Sequence, residues 1–273
     1  EETGTYEFLV TTQNGFRLWI NDTKDPAIDA WVSSGPEPIE HSVTRFLLGG
    51  RAYPIKLHFF KFKDAAASIR LEWQPPFQVR QVIAARNLIA KQVPETLVIT
   101  APFPPDDSSQ GYTRGTSVSE AWDNATTQAA IEAANFIDAR LDALARTGGD
   151  IEQRESRVRE FCRRIVERAF RRPLTDEQQT FFVDRFLGED GDLSTSIKRI
   201  VLLALKSPRF LYPGVATTEL DDYEVASRMA LVLWDSLPDE ALRQAAAEGQ
   251  LHTAEQVTDQ ARRMLTDPRA RTK

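Results

Sequence analysis

The sequence has almost no cysteine: Cys162 stands alone in 273 residues. One thiol excludes an internal disulfide, a structural zinc cage and a c-type haem attachment within this chain. Histidine is nearly as scarce. His41, His58 and His252 fall in separate segments, none with another at i+4, and HExxH does not occur, so no metal-ligating constellation is legible. No stretch approaches the roughly 18 apolar residues of a membrane span. The opening EETGTYEF lacks the pattern of a signal peptide, as a mature or excised segment would. Positive charge is not in excess: 34 Lys and Arg against 40 Asp and Glu give a net charge of -6, which argues against a whole-molecule nucleic-acid binder. A Gly-rich phosphate loop and a nucleophile elbow are also missing, so no catalytic residue is assigned. The 41% hydrophobic and 27% charged fractions belong to a soluble globular protein large enough for two ordinary domains.

Rhythm is what the sequence does have. Residues 4 to 74 alternate like strands: Tyr6, Phe8 and Val10 against Glu7 and Leu9, then Phe16, Leu18 and Ile20 against Arg17 and Trp19. AIDAWV, VTRFLL, YPIKLHFFKF and ASIRLEWQ continue the series. Asn14-Gly15 and Gly49-Gly50 read as hairpin turns, and Pro75-Pro76 as the end of the strands. The stretch to Thr100 is ambiguous: VRQVIAARNLIA fits a short helix and TLVIT a short strand. Residues 101 to 119, rich in Pro, Gly, Ser and Asp, read as a long connection.

From Ser119 the period becomes helical. Ala130, Ala133, Ile137, Leu141 and Leu144 set one stripe ending at Gly148-Gly149. FCRRIVERAFRRPLTDEQQTFFVDRF reads as helix, stop, helix. Val158, Phe161, Ile165, Val166, Ala169 and Phe170 recur at helical spacing, Pro173 ends the run, and Thr175 with Gln178 forms a capping box. Phe182, Val183, Phe186 and Leu187 supply the second apolar face. STSIKRIVLLALKS reads as a buried helix ended by Pro208, FLYPG as extended chain, and three further helices complete the series.

GTYEFLVTTQNGFRLWIND, with IDAWV, LLGGRAYPIKLHF and IRLEW, resembles the later half of a protective-antigen-type β-barrel domain. The opening strands of such a domain would then precede residue 1. FPPDDSSQGYTRGTSVSEAWDNATT, RAFRRPLTDEQ, SPRFLYPG, LDDYEVASRMALVLWDSLPDEALRQAAAEGQL and QARRMLTDPRAR resemble helical domains of unknown function. These occur in large planctomycete proteins with cytochrome-c-like segments (PSD/PSCyt-type). The first resemblance implies glycan binding, for some members through calcium held by paired aspartates. Here the corresponding position reads Gln13-Asn14-Gly15, which argues against the calcium-dependent mode. Both resemblances imply an internal segment of an exported protein, periplasmic or extracellular.

Three clusters are site candidates. Trp19, Asn21, Asp22, Asp25, Asp29 and Trp31 combine oxygen donors with indole faces suited to sugars or calcium, although Asn and Asp are also ordinary turn formers. Seven arginines lie between Arg157 and Arg172. Arg157, Arg164, Arg168 and Arg171 lie near one face, suited to phosphate, sulfate or carboxylate. Against this stands a solvated helix laced by Glu160–Arg164 and Glu167–Arg171 pairs, the preferred account given the negative total charge. Asp221, Asp222, Asp235 and Asp239 suit acid–base work, but caps at helix starts account for them better.

The expected fold is α+β and multidomain: an antiparallel β sandwich or barrel over 1–78, a connector over 79–118, and helical domains over 119–213 and 214–273. The expected function is a non-catalytic segment of a secreted multidomain protein. Its β module takes a glycan, its helices are a scaffold for other domains of the same polypeptide, and no cofactor resides in this chain. The alternatives are part of an oxidoreductase whose haem lies in domains outside this chain, and a protein-interaction scaffold alone.

Overall fold

A computed structural model of the chain describes residues 2–62, 67–105, 119–148, 151–188, 192–214, 220–267 and 269–272. Alternating side chains in the first third build seven strands: β1 (Gly4–Thr12), β2 (Gly15–Ile20), β3 (Ile28–Ala30), β4 (Ile39–Leu47), β5 (Ile55–Phe60), β6 (Ile69–Gln74) and β7 (Gln81–Val82). They form two antiparallel sheets ordered β4-β1-β6-β7 and β3-β2-β5, a sandwich rather than a closed barrel. Tyr6, Phe8 and Val10 from one sheet meet Phe16, Leu18 and Ile20 from the other in a single core. Val10, Phe16 and Leu18 are wholly buried, each contributing about 1.5–3 kcal/mol by leaving water.

Both expected hairpins are corners between sheets. β1 pairs with β4 and β6 while β2 pairs with β3 and β5, so Asn14-Gly15 carries the chain from one sheet to the other. Neither residue is among those with positive φ, which a two-residue hairpin of the I′ type requires. The buried Asn14 instead braces the corner, its Oδ1 accepting the Ser68 N–H at 3.3 Å. Gly49-Gly50 likewise joins strands of different sheets. The strand series continues past Pro75-Pro76 to β7, and VRQVIAARNLIA yields that strand and a single 3₁₀ turn at Ala85–Asn87. TLVIT forms no strand. Asn21 secures the first residue of that segment by donating to the Thr96 carbonyl and accepting the Thr96 N–H, both at 2.8 Å.

The helical part comprises α1 (Glu120–Ala139), α2 (Leu141–Ala145), α3 (Ile151–Phe170), α4 (Asp176–Phe182), α5 (Leu193–Leu205), α6 (Pro208–Leu211), α7 (Asp222–Trp234), α8 (Glu240–Ala247), α9 (Ala254–Leu265) and α10 (Arg269–Thr272). The stripe expected as one helix divides at Arg140, and Arg146 closes α2 in the left-handed region. Gly149 and residues 106–118 of the expected connector lie outside the described residues. On α3 the buried stripe is Val158, Cys162, Val166, Ala169 and Phe170, with Phe161 and Ile165 at its edges. Thr175 and Gln178 form the capping box of α4, but the helix stops at Phe182 and a 3₁₀ turn over Asp184–Phe186 takes its place. FLYPG is not wholly extended: Ser207 caps α6, with Pro208 at its first position. α5 packs on α1 and α3. A second core joins Ala226, Ala230, Trp234, Leu242, Ala246 and Met264 from α7, α8 and α9. The chain divides into two compact units, Glu1–Val98 and Ile99–Lys273.

Candidate functional site

Because Phe16, Leu18 and Ile20 face the core, Arg17 and Trp19 face outward from the β3-β2-β5 sheet. Register sets Arg17 between His58 and Asp29, Trp19 opposite Lys56, and Gly15 opposite Phe60. Gly15 is required there: a Cβ would lie 2.0 Å from the Phe60 ring. The Trp31 ring stands 4.6 Å from Phe60, and the Arg17 guanidinium is 4.9 Å from the Trp31 centroid. Arg17 also donates to Asp29 Oδ1 at 2.9 Å. Trp31 is 38% exposed. The result is an aromatic platform edged by a polar pair, the combination that stacks on a sugar ring while bonding its hydroxyls.

Of the six residues expected as one ligand cluster, only Asp29 and Trp31 belong to this platform. Trp19 shares the face but is 7% exposed, covered by Lys56 at 3.9 Å and His58 at 4.8 Å, and it donates through Nε1 to the Lys24 carbonyl. Asn21 is occupied by Thr96, and Asp22 Oδ1 accepts the N–H groups of Lys24 and Asp25 in a local turn. Gln13-Asn14 does not suit calcium either: it presents no carboxylate, and the Asn14 oxygen already takes the Ser68 N–H. Among the described residues no three His, Cys, Asp or Glu converge as a metal cluster. A cleft of about 460 Å³ in the same unit is lined by Tyr6, Phe8, Ile20, Trp73 and Ile83 together with Arg51, Lys56 and Lys91.

In the helical unit the four arginines expected on one face do not converge. Arg157 donates to the Arg146 carbonyl at 2.6 Å. Arg171, 7% exposed, turns back to donate to the Arg209 carbonyl at 2.7 Å, and Glu167, its expected partner, holds Arg163 at 2.6 Å. Arg164 and Arg168 remain on an open groove beside α8. The carboxylates each have local work. Asp221 caps α7 and pairs with Arg172 at 3.0 Å. Asp222 accepts the Leu251 N–H and meets His252. Asp239 caps α8 and pairs with Arg263, the Arg263 and Arg269 guanidinium groups and the Leu242 N–H outweighing burial to hold its pKa below the usual aspartate range. Asp235 occupies a left-handed C-cap. Cys162 is a core residue whose burial pushes the thiol pKa up to about 12, far from nucleophilic use.

Sequence reading missed Arg17 and Phe60 because they enter the platform across strands, from positions 14 and 29 residues before and after Trp31. Alternation did mark Arg17 as outward. No local signal distinguishes Arg164 and Arg168 from their neighbours.

Comparison with known proteins bears on both units. A model for the PA14 domain matches residues 1–85. Models for proteins of unknown function match residues 157–213 (DUF1595, PSD5) and 220–273 (DUF1592, PSD4). Among curated proteins, the anti-sigma-I factor RsgI3 of Acetivibrio thermocellus is 32% identical over 90 residues, 33% of this chain and 13% of that protein. A solved anti-sigma factor domain-containing protein is 32% identical over 33% of this chain and 30% of its own, with a TM-score of 0.31. The chain thus carries a PA14 domain at its N-terminus followed by these two domain types, a layout consistent with a non-catalytic module. No helix among the described residues is long and apolar enough to cross a membrane.

Proposed function

We propose that this chain is a non-catalytic segment of an exported multidomain protein, in which the PA14 unit holds carbohydrate on the outer face of the β3-β2-β5 sheet. The helical unit is a scaffold for neighbouring domains. The observation that carries the reading is the Trp31–Phe60 platform with the Arg17–Asp29 pair at its margin. A stacking indole contributes apolar contact, and the ion pair offers both donors and acceptors to hydroxyls. PA14 domains are often carbohydrate-binding, which supports the choice of ligand.

A glycan array with the whole chain, followed by titration of the bound sugars, tests it. Trp31→Ala is expected to weaken binding about tenfold by removing the stacking surface, with thermal unfolding unchanged because Trp31 is partly exposed. Asp29→Ala is expected to weaken it less. Unaltered affinity in both variants would remove the site from this face.

A further inference from the structure

Five of the seven arginines between Arg157 and Arg172 are held at hydrogen-bond distance. Arg157 and Arg171 bond carbonyls, Arg159 meets Asp184 at 2.6 Å, Arg163 meets Glu160 and Glu167 at 2.6 Å, and Arg172 meets Asp221 at 3.0 Å. Arg164 and Arg168 are different. They lie one helical turn apart, and the carboxylates beside them, Glu160 and Glu240, stand at 4.0 Å, beyond hydrogen-bond reach. Both line a groove of about 530 Å³ to which α8 contributes Arg243.

Arginines 163, 164, 168, 172 and 243 line this groove with only two carboxylates, Glu167 and Glu240. Those two are already engaged, by Arg163 and Arg243 respectively. Asp221, from the start of α7, neutralises Arg172. Five arginines against Glu160, Glu167, Glu240 and Asp221 leave one positive charge in excess, and it falls on Arg164 and Arg168, which have no carboxylate at hydrogen-bond distance. Partial burial and the adjacent Arg243 guanidinium draw the Arg168 pKa below the ordinary arginine value, as for cations crowded together without an acceptor. An oxyanion bridging them would relieve the repulsion and gain charge-assisted bonds of the forked kind.

We infer that the groove between α3 and α8 binds sulfate or carboxylate groups of an acidic glycan through Arg164, Arg168 and Arg243. A flexible chain with separated anionic groups needs only this groove, whereas a long duplex polyanion also meets the -6 charge of the chain. The glycan identity rests on the carbohydrate reading of the first unit; the oxyanion chemistry does not.

The test titrates the whole chain with a sulfated heparin oligosaccharide, an oligogalacturonate and a long duplex oligonucleotide, each at two salt concentrations. Binding of at least one acidic glycan, weakened by salt, is expected. The double variant Arg164→Ala/Arg168→Ala should lose about tenfold or more in affinity with unaltered thermal unfolding, since both side chains are exposed. Arg168→Lys should lose less. Affinity for neutral sugars should fall in Trp31→Ala and stay that of the parent in the double variant, which separates this groove from the sheet platform. The inference is overturned if the double variant binds as well as the parent, if Trp31→Ala abolishes the binding, or if the oligonucleotide binds as tightly as the glycans.

Discussion

Arg171 is charged, buried and left-handed at once. Its φ is 60° and its guanidinium reaches the carbonyls of Arg209 and Phe210, while desolvation draws its pKa below the usual arginine value. Helical spacing alone placed it on a solvent face with Arg157, Arg164 and Arg168, because periodicity assumes helical angles that end at Phe170. Leaving those angles turns the side chain inward, where it joins the end of α3 to α6. Two variants separate its two features. Arg171→Ala loses the hydrogen bonds and keeps the left-handed strain. Arg171→Gly loses the bonds but suits the backbone, since the left-handed region costs a non-glycine residue about 1–2 kcal/mol. Urea denaturation is expected to show Arg171→Ala destabilised by about 2–4 kcal/mol and Arg171→Gly by about 1 kcal/mol less; glycine proving the worse replacement would refute the account.

At the scale of elements, the segment after α3 links three helices within a few residues. Pro173 forbids continuation, Thr175 opens α4 through its capping box, and Arg172 grips Asp221, the residue that caps α7. Stop and cap were legible in the sequence because each is settled within four residues by backbone geometry and a side-chain acceptor. The Arg172–Asp221 pair was not, because its partners are 49 residues apart and nothing local matches them. Asp221 therefore has two roles. Asp221→Ala should cost more than the roughly 1 kcal/mol of a lost cap. A double-mutant cycle with Arg172→Ala should return a coupling of about 1 kcal/mol that shrinks as salt is added. A coupling of zero would leave Asp221 as a cap alone.

At the scale of the whole molecule, the two units bury their side chains on different principles. The first unit closes Tyr6, Phe8, Val10, Phe16 and Leu18 between two sheets, whereas the second packs small residues such as Ala226 and Ala230 against Trp234 and Met264 among helices. Each is expected to unfold cooperatively by itself. Calorimetry of the whole chain should show two transitions, and the isolated segment 99–273 should reproduce one of them near its original midpoint. A single transition shared by both would show that the units depend on each other.

The change from period two to period three-and-a-half, the helix caps, the prolines that end helices and the likeness to two kinds of domain were all present in the linear sequence, because each depends on residues within a few positions of one another. Tertiary structure decided the rest. It made Asn14-Gly15 a corner between sheets, assembled Trp31, Phe60, Arg17 and Asp29 on one face, and left two of seven arginines without a close acceptor. Those outcomes depend on which distant strands and carbonyls arrive beside a residue when the chain closes, and side-chain type and spacing do not encode that arrival.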